Sequence, residues 1–310
     1  MRYLLTLLLI PALYMQSTAQ TADELVSQAV LMYEAGEYTE CLENIEKALT
    51  TAEDLSPQQR SLAHLYRGML HLRSQMETGG SGSTDPASDP RLLALAEFQK
   101  ARDTDDGSMS ARIQQEMNQL YPLLFNAGVQ AYNASLSATG DAKTNALEYA
   151  AGYVTGAYQI RPDNYKLSDL LGRIHYYLEQ YEQSLGYYLT ARRQYRPIRS
   201  REPDFSGISN IYLSAAYIFR DHLKPPSPDR ALESVSTGLA LLESEYQRFA
   251  TSFSGNQEGH SRYLNGRKQL RGMELELLQN MPQRINEALT KFEAAIDSDF
   301  KDDAQMHASY

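Results

Sequence analysis

Small, large and small residues recur along this chain at steps of four and three, with mainly polar residues between them. The triads are Cys41, Ile45 and Ala48; Ala94, Phe98 and Ala101; Ala150, Val154 and Ala157; Ser184, Tyr188 and Ala191; Ala231, Val235 and Gly238; and Ala288, Phe292 and Ala295. Such steps put all three side chains on one face of a helix. The small residues let a second helix axis come close, and the large one fills the gap between the axes. Six such triads in a chain nearly devoid of alternating apolar and polar runs predict an all-α helical repeat.

Each of these helices needs an antiparallel partner, and the chain supplies one upstream of most. Ala29 precedes Cys41 by twelve residues, with Leu25 one turn earlier and Gly36-Glu37-Tyr38 as the turn between helices. Gly172 likewise precedes Ser184 by twelve, with Leu171 beside it and Tyr181 where Tyr38 stood. Ala150 and Ser184 are 34 residues apart, one unit of a two-helix repeat. The stretch from Tyr33 to Leu49, the run Leu170 to Ala191, and the ending Ala157 to Pro162 resemble the tetratricopeptide repeat (TPR) family.

The resemblance covers most of residues 22–302 and implies a right-handed α-solenoid of about six helix-turn-helix units. They fall near 22–55, 57–107, 120–164, 165–198, 208–250 and 261–302, with a further repeat opening at 303–310. The step between helices exceeds the family spacing from Gly68 to Ala94 by fourteen residues, from Gly128 to Ala150 by ten, and from Ala216 to Ala231 by three. The sixth unit has the weakest first helix, because Gly266 and Gly272 compete within Arg262–Gln279.

Residues 1–19 stand apart. Arg2, the apolar stretch Tyr3–Tyr14 broken by Pro11, and the small residues Ser17-Thr18-Ala19 read as a secretory signal peptide cleaved before Gln20. The stretch is too short to span a bilayer, and no later run of 18 apolar residues exists. No cysteine near the cleavage point offers a lipid anchor. The repeat domain 20–310 is therefore expected in a Gram-negative periplasm or outside the cell, without stable membrane insertion.

Composition sharpens this picture. The chain has 22 tyrosines and no tryptophan; tyrosine packs its ring between helices while its hydroxyl reaches water. The net charge of −10 argues against nucleic acid and anionic membranes as partners. Against it, Arg192, Arg193, Arg196, Arg199 and Arg201 cluster at the end of the fourth unit. They complement a helix C-terminus or, alternatively, face an acidic partner or anionic glycan. Cys41 is the only cysteine, so no intramolecular disulfide forms, and its place at a helix crossing marks it as a small buried residue.

Signals for chemistry are weak. The loop 78–90 is rich in Gly, Ser, Asp and Pro, but its Gly79-Gly80-x-Gly82 follows a helix and not the strand that a phosphate cradle requires. Lys224-Pro225-Pro226-Ser227-Pro228 reads as a stiff connector. Asp103, Asp105 and Asp106 miss the ligand alternation of a calcium loop, as do Asp297, Asp299, Asp302 and Asp303. His64 and His71 lie two turns apart, too far to share a metal without a third ligand. No metal, cofactor or catalytic site is expected.

The resemblance implies that first helices line a concave groove, with groove sites one and four residues after each small residue. Carried over, these are Val30 and Tyr33, Met69 and Leu72, Val129 and Tyr132, Arg173 and Tyr176, and Tyr217 and Arg220, with Tyr177 at the rim. Tyrosine and arginine are the anchors that dominate interfaces. Tyr33, Tyr132, Arg173, Tyr176, Tyr177, Tyr217 and Arg220 are thus the candidate partner-binding residues. The expected function is a non-enzymatic exported scaffold that binds a protein or peptide in envelope assembly, secretion or motility. The alternatives are an envelope glycan- or nutrient-binding protein, and the N-terminal adaptor of a larger enzyme or machine.

Overall fold

The computed structural model describes residues 20–51, 54–77, 88–195, 203–252 and 256–281, together with Thr290. The signal peptide, most of the loop 78–90, Arg196, Arg199, Arg201, the triad ending the sixth unit, and residues 303–310 lie outside the described residues. The helices are α1 (Ala22–Ala35), α2 (Tyr38–Thr50), α3 (Pro57–Glu77), α4 (Pro90–Thr104), α5 (Ser110–Ser137), α6 (Gly140–Ile160), α7 (Tyr165–Tyr177), α8 (Tyr181–Gln194), α9 (Phe205–Tyr217), α10 (Pro228–Ser252) and α11 (Gln257–Gln279). Among the described residues there is no strand. Two compact units divide inside α5, one reaching Met117 and the other starting at Asn118.

The first unit consists of two helical hairpins. Thr21 and Glu24 cap each other's backbone amides at the start of α1, a reciprocal pairing that satisfies two amides otherwise orphaned at the helix start. Gly36 ends α1 in a left-handed conformation at φ 84°, which glycine adopts without a Cβ clash. The next residue's amide then bonds the Met32 carbonyl at 2.8 Å, and α2 turns back along α1. Ala29, Cys41, Ile45 and Ala48 are all fully buried at this crossing. Burial pushes the Cys41 thiol up to about 11, so it stays protonated and packs as a small apolar group.

The second hairpin, α3 with α4, shows why the triads alternate in size. A Cβ on Gly68 would come within 2.5 Å of the Phe98 ring, so the glycine of one helix makes room for the large residue of the other. Polar groups are placed in the same interface. Ser61 donates to the Ala101 carbonyl at 2.9 Å. Glu97 pairs with His64 Nδ1 at 2.7 Å and accepts from Lys100 at 2.8 Å. Burial alone would raise the Glu97 carboxyl, but the His64 and Lys100 hydrogen bonds outweigh it and hold it at about 2.

In the second unit the same pairing returns. Gly128 of α5 meets Val154 of α6, and Gly172 of α7 meets the Tyr188 ring of α8. In the pair α9 and α10 it is reversed, with Gly238 of α10 against Tyr212 of α9. Ser184 donates to the Gly172 carbonyl at 2.7 Å and Ser234 to the Tyr212 carbonyl at 3.0 Å, so hydroxyls buried in these crossings bond to the facing backbone.

Two expectations are refined here. The ten residues added between Gly128 and Ala150 form no long loop: α5 runs to Ser137 and α6 starts at Gly140, so the extra length is helical. The weak first helix of the sixth unit is one continuous helix, α11, of 23 residues. Each glycine costs a helix about 1 kcal/mol, but buried Tyr263, Leu270, Met273, Leu277 and Leu278 outweigh that. A Cβ on Gly266 would lie 3.0 Å from Ser209 Oγ of α9, whereas one on Gly272 would meet nothing. Gly266 is therefore the residue of close approach.

The Glu97 pairing has a testable pH signature. With its carboxyl at about 2 against an ordinary 4.5, its contribution is complete above pH 4.5 and is lost as pH falls toward 2. Glu97→Gln should lower the thermal midpoint at neutral pH, and the gap to wild type should close as pH drops through that window. Identical melting curves at every pH would refute this role for Glu97.

Candidate functional site

The central element of the candidate site is α7. Asn164 caps its start by accepting from the Lys166 amide at 3.2 Å, which fixes where the helical phase begins. Gly172 then faces α8, and the Tyr188 ring lies directly on it. Tyr188 is 2% exposed, and its hydroxyl pairs with Ser214 of α9 while burial pushes its ionisation upward. A ring held by a glycine on one side and a hydrogen bond at its tip forms a fixed floor.

Above this floor is a cavity of about 270 Å³. Tyr132 of α5 lines it, with Arg173, Tyr176 and Tyr177 of α7 and Asn210, Ser214 and Tyr217 of α9. Tyr132, Arg173, Tyr176, Tyr177 and Tyr217, identified as groove candidates from the sequence, thus meet in one recess. They come together because α5, α7 and α9 each precede the partner helix of their own hairpin and present equivalent faces.

The walls are aromatic. Tyr132 and Tyr177 have ring centres 6.3 Å apart, and burial, together with the Tyr177 hydroxyl, raises the Tyr132 ionisation. Tyr176 stands edge-on to Tyr177 at 5.9 Å and to Tyr181 at 5.6 Å. Tyr181 stacks on His222 at 3.8 Å, and the Tyr176 hydroxyl lies 3.4 Å from His222 Nε2. Edge-to-face pairs of this kind contribute roughly 0.5–1.5 kcal/mol each beyond their burial. At the rim Tyr177 and Tyr217 are 45% and 40% exposed, large apolar area open to a partner.

Among the described residues Arg173 is the one cation lining the recess. Its Nη2 donates to Asp169 Oδ2 at 2.5 Å, one helical turn back. Asp169 is 8% exposed, and its Oδ1 is buried without a hydrogen-bond partner among the described residues. Burial raises the Asp169 carboxyl despite the neighbouring guanidinium. Burial works to lower Arg173, but Asp169 more than compensates and raises it. Removing Arg173 would therefore strand a buried carboxylate, at about 3–5 kcal/mol.

Two candidates lie elsewhere. Arg220 bonds Asp221 at 2.6 Å and Glu276 of α11 at 2.7 Å, with its guanidinium 5.1 Å from the Tyr217 ring. The turn Ile218–His222 is a π-helix, which widens the helical step after Tyr217 and puts Arg220 off the face that Tyr217 shares with the recess. Tyr33 belongs to the first unit, where it stands edge-on to Tyr38 at 5.4 Å and Tyr66 at 5.1 Å and packs between helices.

Tyr188, Asn210, Ser214 and Asp169 are not among the sequence candidates. The triad pattern assigns Tyr188 only to filling a helix crossing. The others carry a usable signal: Asn210, Ser214 and Tyr217 are spaced four and three, as are Asp169, Arg173 and Tyr176. Among the described residues no group of three His, Cys, Asp or Glu side chains could hold a metal, and no helix is long and apolar enough to cross a membrane.

The class defined by this architecture is an all-α, TPR-like array of helical hairpins carrying an aromatic recess on its first helices. No protein-family model and no curated protein matches the sequence. Among solved structures, a thermophilic TPR protein of Thermus thermophilus is similar at 16% identity, covering 79% of this chain and 98% of its own, with a TM-score of 0.30. The assembly chaperone of RpL4 is similar at 16% identity over 83% and 99%, with a TM-score of 0.34. The TPR domain of P58(IPK) is similar at 11% identity over 89% and 72%, with a TM-score of 0.33. The fold class rests on this chain's own hairpins.

The floor of the recess can be tested through Gly172. Gly172→Val should push the Tyr188 ring away and cost about 1–3 kcal/mol as overpacking does, read as a lower denaturant midpoint. Gly186→Val on the neighbouring helix, where an added Cβ meets nothing, should be neutral or slightly stabilising, because valine is a better helix former than glycine. Equal losses at both positions would show that the Gly172 contact is not critical.

Proposed function

We propose that this chain is an exported binding scaffold that holds an extended segment of a partner protein across α5, α7 and α9. The observation that carries this reading is the convergence of side chains from three successive first helices on one open recess. Five tyrosines, one arginine, one asparagine and one serine line it. Its 270 Å³ suits a single anchoring side chain, being smaller than the roughly 300–1,000 Å³ of most small-molecule pockets.

The chemistry of the lining points the same way. Its aromatic faces, with one carboxamide, one hydroxyl and one guanidinium, are the groups that serve as anchors in protein interfaces. The Tyr188 floor and the ring pairs hold the site in place before binding, which lowers the ordering cost. Arg173 is already paired to Asp169 and Lys143 stands 5.2 Å from the Tyr177 ring centre, so among the described lining residues no unpaired cation is left for an anionic glycan. The net charge of −10 disfavours nucleic acid. Export rests on the reading of residues 1–19 as a signal peptide, and that reading is what supports a role in envelope assembly, secretion or motility.

Two measurements test this. Intact mass of the protein recovered from its native compartment should show a chain starting at Gln20; a retained leader would count against export. For binding, Tyr177→Ala combined with Tyr217→Ala removes the two rim aromatics and should cost only the ring contacts they make, about 0.5–1.5 kcal/mol each, with the helical fold intact by circular dichroism. On a tiled array of peptides from envelope and secreted proteins, the double variant should lose at least about tenfold in affinity, or 1.4 kcal/mol. An array on which wild type and variant behave alike would sink the groove reading.

A further inference from the structure

The recess also carries information about what kind of side chain it takes, an inference that rests on the peptide-binding reading above. Arg173 is its only cation among the described residues, and an arginine in an aromatic pocket ordinarily marks a carboxylate site. Here the guanidinium already has a carboxylate. Asp169 sits one turn before it at 2.5 Å, on the same helix face, and is 8% exposed. With Asp169 buried and in direct contact with the part-exposed guanidinium, the pair is close to neutral as seen from the recess.

A second carboxylate entering beside Arg173 would meet the field of Asp169 through the same guanidinium. Asp169 has no second hydrogen bond to offset that field, because its Oδ1 is buried without a partner among the described residues. An uncharged group meets no such opposition. The Asn210 carboxamide lines the recess and makes no hydrogen bond to the described residues; it offers one acceptor oxygen and two donors. The ring edges and faces of Tyr132, Tyr176 and Tyr177 accept another aromatic at the distances they already keep among themselves.

We infer that Asp169 sets the specificity of this recess: by neutralising Arg173 it makes the site take an uncharged hydrogen-bonding side chain, a carboxamide or a phenol, in preference to a carboxylate. Asp169 acts through Arg173 and is a positioning and charge-setting residue, with no contact to the ligand of its own.

The test uses the full-length mature chain and the tightest peptide from the array, resynthesised with Gln, Tyr or Glu at its anchor position. By fluorescence anisotropy, Gln and Tyr should bind wild type at least about tenfold more tightly than Glu. Asp169→Asn is isosteric and frees the guanidinium, so it should strengthen the Glu peptide at least about tenfold and remove its deficit. Asp169→Glu should keep the wild-type ranking. Wild type binding Glu as well as Gln would overturn the proposal while leaving the groove reading intact, as would an Asp169→Asn variant, folded by circular dichroism, with an unchanged ranking. If Asp169→Asn does not fold, the wild-type ratio of Gln to Glu decides alone. Peptides that bind wild type and the Tyr177/Tyr217 double variant equally would overturn both readings.

Discussion

The structure depends on how closely the two helices of each hairpin approach. Where a glycine of one helix faces a large side chain of the other, as Gly68 faces Phe98 and Gly172 faces Tyr188, the axes come together without a void. Packing at this density leaves almost no slack. The spacing of small and large residues is therefore a constraint on these hairpins. The buried hydroxyls of Ser61, Ser184 and Ser234 fit the same constraint by bonding to the facing backbone.

That constraint also builds the site. Tyr188 belongs to a packing triad, yet its ring ends beneath the open faces of α5, α7 and α9, and its hydroxyl reaches Ser214. One residue thus closes a hairpin and floors a recess. The recess is rigid for the same reason that the hairpin is: the ring cannot move toward Gly172, and it is tethered at its far end. Aromatic side chains around it then keep fixed edge-to-face distances, and a ligand would meet a surface already in its bound form.

Buried charge adds a second level of control. Asp169 and Arg173 are neighbours on one helix, but only the packing of α7 against its surroundings makes Asp169 inaccessible and leaves Arg173 part-exposed. The same i,i+4 pair on an open helix would contribute a few tenths of a kcal/mol and steer nothing. Taken out of water, it determines the electrostatic character of the recess. In the first unit, Glu97 with His64 and Lys100 shows the other use of a buried carboxylate, where both neighbours bond it and the His64 contact joins two helices.

By itself the sequence determined the helical class, the hairpin pairing, and five of the side chains that line the recess, because periodicity along a helix is a local property readable from spacing. It left open which of Gly266 and Gly272 meets a neighbouring helix, since both satisfy the same local pattern and only the contact with Ser209 separates them. It could not show that Arg220 leaves the shared face, because the π-turn after Tyr217 alters the step on which the periodic rule relies. Nor could it place Tyr33, a packing residue among other tyrosines of the first unit. Burial of Asp169, the reach of Tyr188 to Ser214 and the neutral balance around Arg173 were decided by tertiary structure alone. Desolvation and non-local hydrogen bonds depend on what surrounds a side chain in space, and that surrounding comes from helices far apart in sequence.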